Sequence, residues 1–307
     1  MNELLPIEME QPECLVCGAD SRTPFLHVAN RFDLSQKFQL VQCQQCGLVY
    51  LCPRPTEKSI ARYYQDPGYQ PHQAKALSLS EKIYQAVRVI NNRYKRRLIE
   101  KYVGKGKILD YGCGTGEFLL EMKKSGWETY GFEPTPRAAQ IASNYGLDLI
   151  EKLNNLTHKV LVITLWHVLE HVHTARHLLR QFHDILDPNG FLCLALPNRT
   201  CLDARIFKQN WVAYDAPRHL YHFSPANFEK LLNNCGFTIE SMKSLPFDPW
   251  FNAFLSAELE AGRNKMRLFT FGLLKSVIIA SMVSLLSIFR AQASSSIIYL
   301  ARMKNIR

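Results

Sequence analysis

Short apolar runs alternate with amphipathic helical patterns from residue 107 to residue 244. Residues 160–166 and 191–197 are almost unbroken apolar runs, which is typical of strands that are buried on both sides of a sheet. Residues 117–125 carry apolar positions at the three- and four-residue spacing of a helix that packs on one side. The alternation predicts a doubly wound, mostly parallel α/β sheet that binds its ligand at the carboxyl ends of the strands.

A second hydrophobic pattern, at residues 268–289, does not fit this sheet. It contains a single charge, Lys275, and it lies between two predicted closing strands at residues 238–243 and 296–301. Only 14 uncharged residues follow Lys275 before the next charge, whereas about 20 are needed to span a bilayer. We therefore predict that residues 245–293 form an apolar helical hairpin insert before the last strand.

The longer helix of this insert has two chemically different sides when it is plotted at about 100° per residue. One side carries small and hydroxyl residues, namely Ser276, Ala280, Ser281, Ser284 and Ser287. The other side carries large apolar residues, namely Leu274, Ile278, Ile279, Met282, Leu285, Leu286 and Phe289. With its basic flanks, the pattern predicts that residues 265–290 lie in the interface of an anionic membrane. The alternatives are a helix packed on the core and a contact within a homodimer.

A glycine-rich turn follows the first apolar run of the sheet. Gly112, Gly114 and Gly116 stand at alternate positions, and a helical pattern begins directly afterwards. Alternate glycines let the backbone approach a ligand closely and leave N–H groups to face it. The next predicted strand ends in Glu133, 17 positions after Gly116, where a nucleotide-binding unit places the carboxylate that holds ribose hydroxyls. The G-x-G-x-G spacing lacks the third glycine of a dinucleotide fingerprint, so hydride transfer is the weaker interpretation.

These motifs, taken in order, resemble those of class I S-adenosylmethionine-dependent methyltransferases. The resemblance covers residues 80–245, and its motifs are Asp110 to Gly116, Glu133, residues 165–172, residues 187–190 and residues 196–198. It implies a Rossmann-like, seven-stranded sheet with S-adenosylmethionine as the methyl donor. It also implies a set of cofactor-binding residues, namely Asp110, Gly112, Gly114, Gly116, Glu133 and Trp166.

One departure from this family concerns the adenine ring. Lys159 stands where the family commonly has an aspartate before the central strand. The adenine contact from this region therefore stays open, and Leu153 and Asn154 are the residues considered for it.

Four histidines that follow the predicted strands are candidate general bases, because imidazole titrates near neutral pH. They are His167, His171, His219 and His222. Ubiquinone-pathway O-methyltransferases have a similar Leu-Glu-His run that is implicated in metal binding, and residues 169–171 match it. Here His167 replaces an acid of that group, which leaves a second metal open. Alternatively, Glu170 and His171 satisfy backbone groups at the start of the next helix, and His219 and His222 support the long loop at residues 198–223.

Two C-x2-C pairs precede the methyltransferase-like region. Cys14 and Cys17 form one pair and Cys43 and Cys46 the other, with 25 residues between the pairs and a glycine after each. Two such turns can direct four thiolates at one ion, which leaves no open position for water. We predict a structural zinc site in a zinc ribbon; an iron–sulfur centre and unrelated buried cysteines are the alternatives.

Proline and glycine punctuation divides the chain into three predicted parts. Residues 1–52 are a zinc ribbon, residues 53–79 are a connector or lid, and residues 80–307 are the methyltransferase domain. Three tyrosines lie in the connector, namely Tyr63, Tyr64 and Tyr69. The family resemblance implies that one of them covers the cofactor, and the alternative is that the connector packs on the core.

The chain has 307 residues, of which 47% are hydrophobic, and a net charge of +10. The length allows one catalytic domain with appendages. The charge favours an anionic partner without choosing among nucleic acid, a phosphorylated substrate and a membrane. The basic run at residues 93–97 is interpreted as a solvated helix side. The acidic N-terminus lacks the pattern of a secretion signal. The cysteines that are not predicted metal ligands are expected to remain thiols, which is typical of the cytoplasm. We therefore expect a cytoplasmic protein that is peripheral to the inner membrane face if the insert binds lipid.

Three functions are compatible with these features. The first is methyl transfer, expected at an oxygen, to a small-molecule acceptor or a sugar- or lipid-linked one, because similar inserts occur in methyltransferases of polysaccharide and secondary-metabolite loci. The second is RNA modification, which the ribbon and the positive charge favour. Against it, the loop after residues 196–198 lacks the Pro-Pro-Tyr type tetrapeptide of amino-directed nucleic-acid enzymes. The third is a cofactor- and zinc-binding module without catalysis.

Overall fold

The computed structural model of the chain describes residues 6–64 and 79–304, apart from residues 263, 265 and 267. The strands, numbered along the chain, are β1 (Met9–Glu10), β2 (Arg22–Asn30), β3 (Asp33–Cys43), β4 (Val49–Leu51), β5 (Arg54–Pro55), β6 (Lys107–Tyr111), β7 (Glu128–Phe132), β8 (Asp148–Leu149), β9 (Val160–Trp166), β10 (Leu186–Pro197), β11 (Tyr221–His222), β12 (Phe237–Ser244) and β13 (Ser296–Met303).

The α-helices flank these strands. They are α1 (Glu57–Ile60), α2 (Leu79–Glu100), α3 (Glu117–Lys124), α4 (Pro136–Asn144), α5 (Ala175–Ile185), α6 (Leu202–Phe207), α7 (Pro225–Asn234), α8 (Asp248–Ala261) and α9 (Leu273–Phe289). Single turns of 3-10 helix connect several of them, at Ala61–Tyr64, Leu153–Asn155, Leu169–His171, Lys208–Asn210, Val212–Tyr214 and Ala291–Ala293, and a π-helical turn spans Leu268–Gly272.

Seven strands form the central sheet, as the sequence predicts. Their order is β12-β13-β10-β9-β6-β7-β8. Strand β13 runs antiparallel to both of its neighbours, and the other pairs are parallel. The carboxyl ends of β6, β7 and β9 therefore meet at one edge of the sheet, which positions the glycine turn, Glu133 and the histidine run close together.

The sheet is buried on both sides, which explains the unbroken apolar runs in β9 and β10. Alternate residues of a strand point to opposite sides. In β10, Leu192 and Leu194 pack with α5 and α7, whereas Phe191 and Cys193 pack with α2 and α3 on the other side. The result is the three-layer α/β arrangement expected from the alternation of elements.

The N-terminal ribbon is built on an antiparallel sheet of β2, β3 and β4, and β11 completes it. Strand β3 ends at Cys43 of the second cysteine pair, and β4 follows that pair. Strand β11 comes from the loop of the methyltransferase-like region, where Tyr221 pairs with Tyr50 and His222 pairs with Val49. The ribbon and this loop therefore share one sheet and one hydrophobic cluster.

The loop at residues 198–223 is more ordered than a long connection would suggest. It contains α6, two 3-10 turns and β11. Trp211 is buried at its centre and donates from its indole N–H to Asp203 Oδ2 at 3.0 Å. The loop is therefore a packed part of the fold that joins the ribbon to the sheet.

The apolar insert is the predicted helical hairpin, formed by α8 and α9 between β12 and β13. Among the described residues, the helical stretch Thr270–Phe289 is long and apolar enough to cross a membrane, judged by length and composition alone. A third of its apolar window is buried against the rest of the protein. Two of the predicted flanking charges, Lys265 and Arg267, lie outside the described residues.

Candidate active site and metal-binding groups

A pocket of about 220 Å³ lies between α2 and the glycine turn. Its lining includes four of the predicted cofactor-binding residues, namely Asp110, Gly112, Gly114 and Trp166. Strand β6 supplies Asp110, and Trp166 is the last residue of β9. The pocket thus lies at the carboxyl ends of neighbouring parallel strands, where α/β sheets bind ligands.

The glycine turn depends on a backbone that other residues adopt only with strain. Gly112 and Gly116 have φ values of 79° and 84°, in the left-handed region that favours glycine. A Cβ at Gly112 would lie 2.6 Å from Val168 Cγ2, and one at Gly116 would collide with Leu147. Gly112 therefore lets the segment after β9 pack against the turn, whereas Gly116 lets the turn pack against Leu147 and Ala142.

Glu133 holds the turn from behind rather than lining the pocket. Its Oε2 accepts a hydrogen bond from the Gly114 N–H at 2.9 Å, and its Oε1 accepts one from the Thr135 N–H at 2.8 Å. Leu153 and Asn154, considered for the adenine contact, are likewise absent from the lining residues.

Helix α2 supplies pocket residues that the sequence interpretation missed. They are Arg88, Asn91, Asn92 and Lys95. Lys95 belongs to the basic run interpreted as a solvated side, and for this residue that interpretation is wrong, because its Nζ lies 4.3 Å from the Trp166 ring centre. The signal was present in the sequence, since polar residues recur at positions i, i+3, i+4 and i+7 on one side of the helix.

Two buried charges of opposite sign face each other in this pocket. Burial raises the pKa of Asp110 to about 7, against the opposing effects of a hydrogen bond from Thr164 Oγ1 at 2.6 Å and of the Lys95 charge. Burial also lowers the pKa of Lys95, although Asp110 and Asp248 act in the other direction. The pocket wall therefore has a protonation state that a charged ligand can shift.

His167 adopts a strained conformation directly after β9. Its φ is 57°, which is uncommon for a residue with a side chain. In this conformation its Nε2 lies 3.1 Å from Asp248 Oδ2 and its Nδ1 lies 3.4 Å from Glu170 Oε1. Burial acts to lower the pKa of His167, but the two carboxylates outweigh it and raise the pKa to about 9. His167 is therefore a cation at neutral pH and cannot accept a proton there.

Glu170, His171 and His219 form a compact group beside His167. One carboxylate oxygen and one ring nitrogen from each histidine lie within 4.8 Å of one another. His171 Nδ1 lies 3.0 Å from the Arg218 carbonyl, and His219 Nδ1 lies 2.8 Å from the Ala213 carbonyl. A carbonyl only accepts, so each Nδ1 carries the proton and each Nε2 keeps a lone pair.

In this group the carboxylate oxygens and the Nε2 atoms are the available acceptors, because each Nδ1 proton is directed at a backbone carbonyl. Glu170 is fully buried and neither of its oxygens has a hydrogen-bond partner of standard geometry among the described residues. Burial raises the pKa of Glu170, but His167, whose Nδ1 lies 3.4 Å from Oε1, and the neighbouring histidines outweigh burial and hold the pKa below its usual value. Burial, together with the neighbouring His219, lowers the pKa of His171 to about 4. A carboxylate beside two imidazoles can receive a hydroxyl proton or hold a divalent cation.

The fourth predicted histidine, His222, has a different setting. It lies in β11 and pairs with the ribbon, and it is almost fully buried. Its ring contacts the Tyr214 ring at 5.1 Å between centres. Burial lowers its pKa well below the usual value.

Two of the three connector tyrosines lie against the core. The Tyr64 hydroxyl is 3.0 Å from His171 Nδ1, and the Tyr63 ring packs edge-on against Phe38. Tyr69 lies outside the described residues.

The four predicted cysteine ligands come together in the ribbon. Their sulfurs all lie within 4.8 Å of one another, with Cys14 and Cys46 at 3.4 Å and Cys17 and Cys43 at 3.5 Å. Each turn is closed by a backbone hydrogen bond, from Gly18 N to Cys14 O and from Gly47 N to Cys43 O. Sulfurs bound to one tetrahedral zinc at about 2.3 Å lie slightly further apart than this, so the site can hold a structural zinc ion with small adjustments.

Comparisons with known proteins agree with this arrangement. The model of a family described as a methyltransferase domain matches residues 85–242. A ubiquinone biosynthesis O-methyltransferase from Xanthomonas oryzae is 26% identical over 172 residues, covering 50% of this chain and 72% of that protein. One from Azorhizobium caulinodans is 24% identical over 159 residues, covering 47% and 63%.

Among solved structures, the magnesium protoporphyrin IX methyltransferase from Synechocystis PCC 6803 with bound SAH has a similar fold. The TM-score is 0.50 at 16% identity, and the similarity covers 81% of this chain and 100% of that chain. At this identity the likeness concerns the fold alone.

Proposed function

This chain belongs to the methyltransferase domain family and is an S-adenosylmethionine-dependent methyltransferase, and we propose that it methylates a hydroxyl oxygen of a small molecule. The support for an oxygen acceptor is the group of Glu170, His171 and His219, whose carboxylate oxygens and Nε2 atoms are available acceptors. The curated relatives, which are named ubiquinone biosynthesis O-methyltransferases, support the same reaction. Their acceptor itself is not carried over to this chain.

The pocket suits the two ends of the methyl donor. The backbone beside Gly112 and Gly114 would approach the donor closely, and Arg88 and Lys95 would attract its carboxylate. Glu133 would hold the ribose hydroxyls after releasing the Gly114 N–H. Asp110, buried beside Lys95, would balance the positive charge of the donor.

Methyl transfer to a hydroxyl needs alignment along the sulfur–methyl bond and removal of one proton. His167 lies one residue after Trp166 of the pocket, and its positive charge keeps Glu170 ionised. The Nε2 lone pair of His219 would then accept the hydroxyl proton, since the lowered pKa of His171 makes His171 the weaker base. A divalent cation on the same three side chains would instead lower the pKa of the hydroxyl.

Calorimetry with S-adenosylmethionine tests the cofactor part of this proposal. Gly114→Val should weaken binding by about tenfold or more, which corresponds to about 1.4 kcal/mol. The matched control is Gly104→Val, because a Cβ at Gly104 meets nothing within 4 Å. Equal binding by the two variants would contradict the proposed cradle.

The acceptor part is tested by kinetics with hydroxyl-bearing acceptors found by screening extracts with labelled cofactor. Glu170→Gln and His219→Gln should each lower kcat by about 100-fold, the usual range of general base catalysis, with little change in cofactor affinity. Added Mg²⁺ should raise turnover only if a divalent cation occupies the group, and this addition leaves the ribbon metal in place. Methylation of nitrogen or carbon acceptors alone, or unchanged kcat in both variants, would exclude the proposed role.

A further inference from the structure

The α8–α9 hairpin packs against the protein with its small and polar side. The buried residues of the two helices are Asn252, Ala253, Ser256 and Ala257 in α8 and Ser276, Ile279, Ala280, Val283 and Ser287 in α9. Small side chains allow the two helices to approach each other and α6 closely. The predicted division of the helix into two sides is therefore present in part, but it is wrong at two positions, since Ile279 is buried and Ser281 is exposed.

The opposite side of the hairpin carries large apolar side chains that face outward. They are Trp250, Phe251 and Phe254 from α8, Phe271 from the π-helical turn, and Leu274, Val277, Ile278, Met282, Leu285, Leu286, Ile288 and Phe289 from α9. The two at the end of α9, Ile288 and Phe289, are 77% and 82% exposed. We call these twelve residues the outward apolar surface.

This distribution is inverted relative to a helix that faces water. A surface helix normally buries its apolar side and exposes its polar side, whereas in α9 Ser276 and Ser287 are buried and three leucines are exposed. Exposed apolar residues that form one continuous area, instead of being scattered singly, indicate a surface that another apolar medium covers.

The charges around the hairpin indicate what that medium is. Residues 261–295, from the end of α8 to the start of β13, contain five Lys and Arg residues and no Asp or Glu. Three of the cations precede α9 in sequence, and Arg290 follows its last residue. In α8, Glu260 is paired with Lys275 at 2.6 Å, which leaves Glu258 as an exposed acid on that helix. Large apolar residues flanked by cations match the acyl chains and anionic headgroups of a bilayer surface.

The chain path favours binding along the surface over spanning. Strand β12 ends at Ser244 and α8 begins at Asp248, while α9 ends at Phe289 and β13 begins at Ser296. Both ends of the hairpin are therefore tied by short connections to adjacent strands of one sheet. Because α9 also stays packed against α8, it lies flat on the protein with one side available.

We propose that the outward apolar surface binds the surface of an anionic lipid bilayer, with α9 lying in the plane of the interface. The surface begins beside the candidate active site, since Asp248 contacts His167 and Trp250 lies two residues further along α8. This inference does not depend on the identity of the methyl acceptor.

Flotation with vesicles tests the proposal. The full-length protein should float with vesicles of phosphatidylglycerol and phosphatidylcholine and bind pure phosphatidylcholine at least several-fold more weakly. The double variant Ile288→Ser, Phe289→Ser should lose about tenfold or more of its vesicle affinity, because two large apolar side chains leave the acyl region. The matched control is Leu34→Ser, Tyr145→Ser, which changes two exposed apolar residues elsewhere and should bind like the wild type.

Melting curves should be the same for both double variants, which separates lipid binding from folding. A second measurement uses acyl-brominated phosphatidylglycerol, which should quench the fluorescence of Trp250, an effect lost in Trp250→Phe. Failure of the wild type to float, or equal floating of both double variants, would overturn the proposal. It would also be overturned if the wild type were a dimer that the Ile288→Ser, Phe289→Ser variant dissociates without vesicle binding, since a second copy would then cover the surface.

Discussion

The zinc ribbon and the α8–α9 hairpin are both additions to the same sheet, yet they join it in opposite ways. The ribbon donates strands to a sheet completed by β11 and shares its hydrophobic cluster with the core. The hairpin turns its small residues inward and its large apolar residues outward. The ribbon is therefore part of the structure that supports the site, whereas the hairpin is shaped for something outside the chain.

Buried charges show the same contrast. At the ribbon junction, Arg218 is fully buried and donates to both oxygens of Asp215 and to the Tyr63 carbonyl. Burial acts to raise the pKa of Asp215, but Arg218 and Arg31 outweigh it and lower the pKa to about 2. On the hairpin, the pair of Lys275 and Glu260 is about one third exposed. Charges at the ribbon therefore hold protein parts together, while those at the hairpin stay accessible to solvent.

The largest expected effect is the loss of the ribbon metal. Zinc supplies about 10–16 kcal/mol of folding free energy in isolated zinc peptides, which matches or exceeds the usual stability of a whole domain. Chelation, or Cys43→Ala, should unfold the ribbon and also release β11, so that methyl transfer falls with it. Circular dichroism melting, metal content and turnover measure the three consequences.

The control for this experiment is Cys52→Ala, which removes a buried thiol near the ribbon that is not one of the four ligands. Its cost should be about 1 kcal/mol. If a chelator leaves both the melting curve and turnover unchanged, the ribbon is not a metal-dependent support for the site.

The next largest effect concerns the buried ion pair at the junction. Arg218→Met should cost about 3–5 kcal/mol, because Asp215 stays buried without its main partner. Arg31, whose Nε lies 3.1 Å from Asp215, should keep the loss near the lower end. Urea unfolding measures it, with Lys107→Met as the control, since the pair of Lys107 and Glu128 is exposed and should contribute less than about 1 kcal/mol. Equal losses in the two variants would mean that the junction is not a structural contact.

Two adjacent isoleucines of α9 test the inverted packing of the hairpin. Ile279 is buried and Ile278 is half exposed. Ile279→Ala should cost about 2–5 kcal/mol, whereas Ile278→Ala should stay within about 0.5 kcal/mol in the absence of lipid. The pair shares helix position and chemistry, so urea unfolding reports the orientation of the helix alone. A reversed order of the two losses would mean that α9 packs by its other side.

The sequence predicts much of this arrangement for physical reasons. Strands that are buried on both sides appear in the sequence as apolar runs, so β9 and β10 could be predicted. Two C-x2-C turns can bind one ion only when they lie close together, so the proximity of the two cysteine pairs could be predicted as well. The pairing of β11 with β4 was not predictable, because two-residue strands carry no periodic pattern and their partners are more than 160 residues apart.

Two other features were missed because different environments select similar residues. The sequence pattern predicts that Lys95 is solvated, because charged side chains occur both on solvent-exposed surfaces and in pockets that bind charged ligands. Ile279 lies on the apolar side of the helical wheel, but the wheel does not show where the neighbouring helices pack, and in the structure Ile279 is buried. The placement of Glu170 with His171 and His219 likewise depends on the packed loop between β10 and α7.

The smallest expected effect concerns Asp248, the residue through which the hairpin contacts His167 of the candidate active site. At this residue the hairpin, like the ribbon, makes a charge contact with the rest of the protein. The native pKa of His167, about 9, exceeds its ordinary value of about 6.5. Its protonated form therefore stabilises the fold fully below about pH 6.5, and this stabilisation is lost as the pH rises through about 9. The side chain is 32% exposed, so solvent screens part of the interaction and the effect should be modest.

Asp248→Asn should therefore lower the free energy of unfolding most at pH 6, and the difference from the wild type should shrink by pH 9.5. Urea unfolding across this range measures it, and NMR titration of the imidazole should show a lower pKa in the variant. Glu258→Gln, an exposed change on the same helix, should give a small difference that does not vary with pH. If the difference in unfolding free energy between Asp248→Asn and the wild type also stays constant with pH, no charge interaction joins the hairpin to the site. In that case no part of α8 supports the site in the way that the ribbon does.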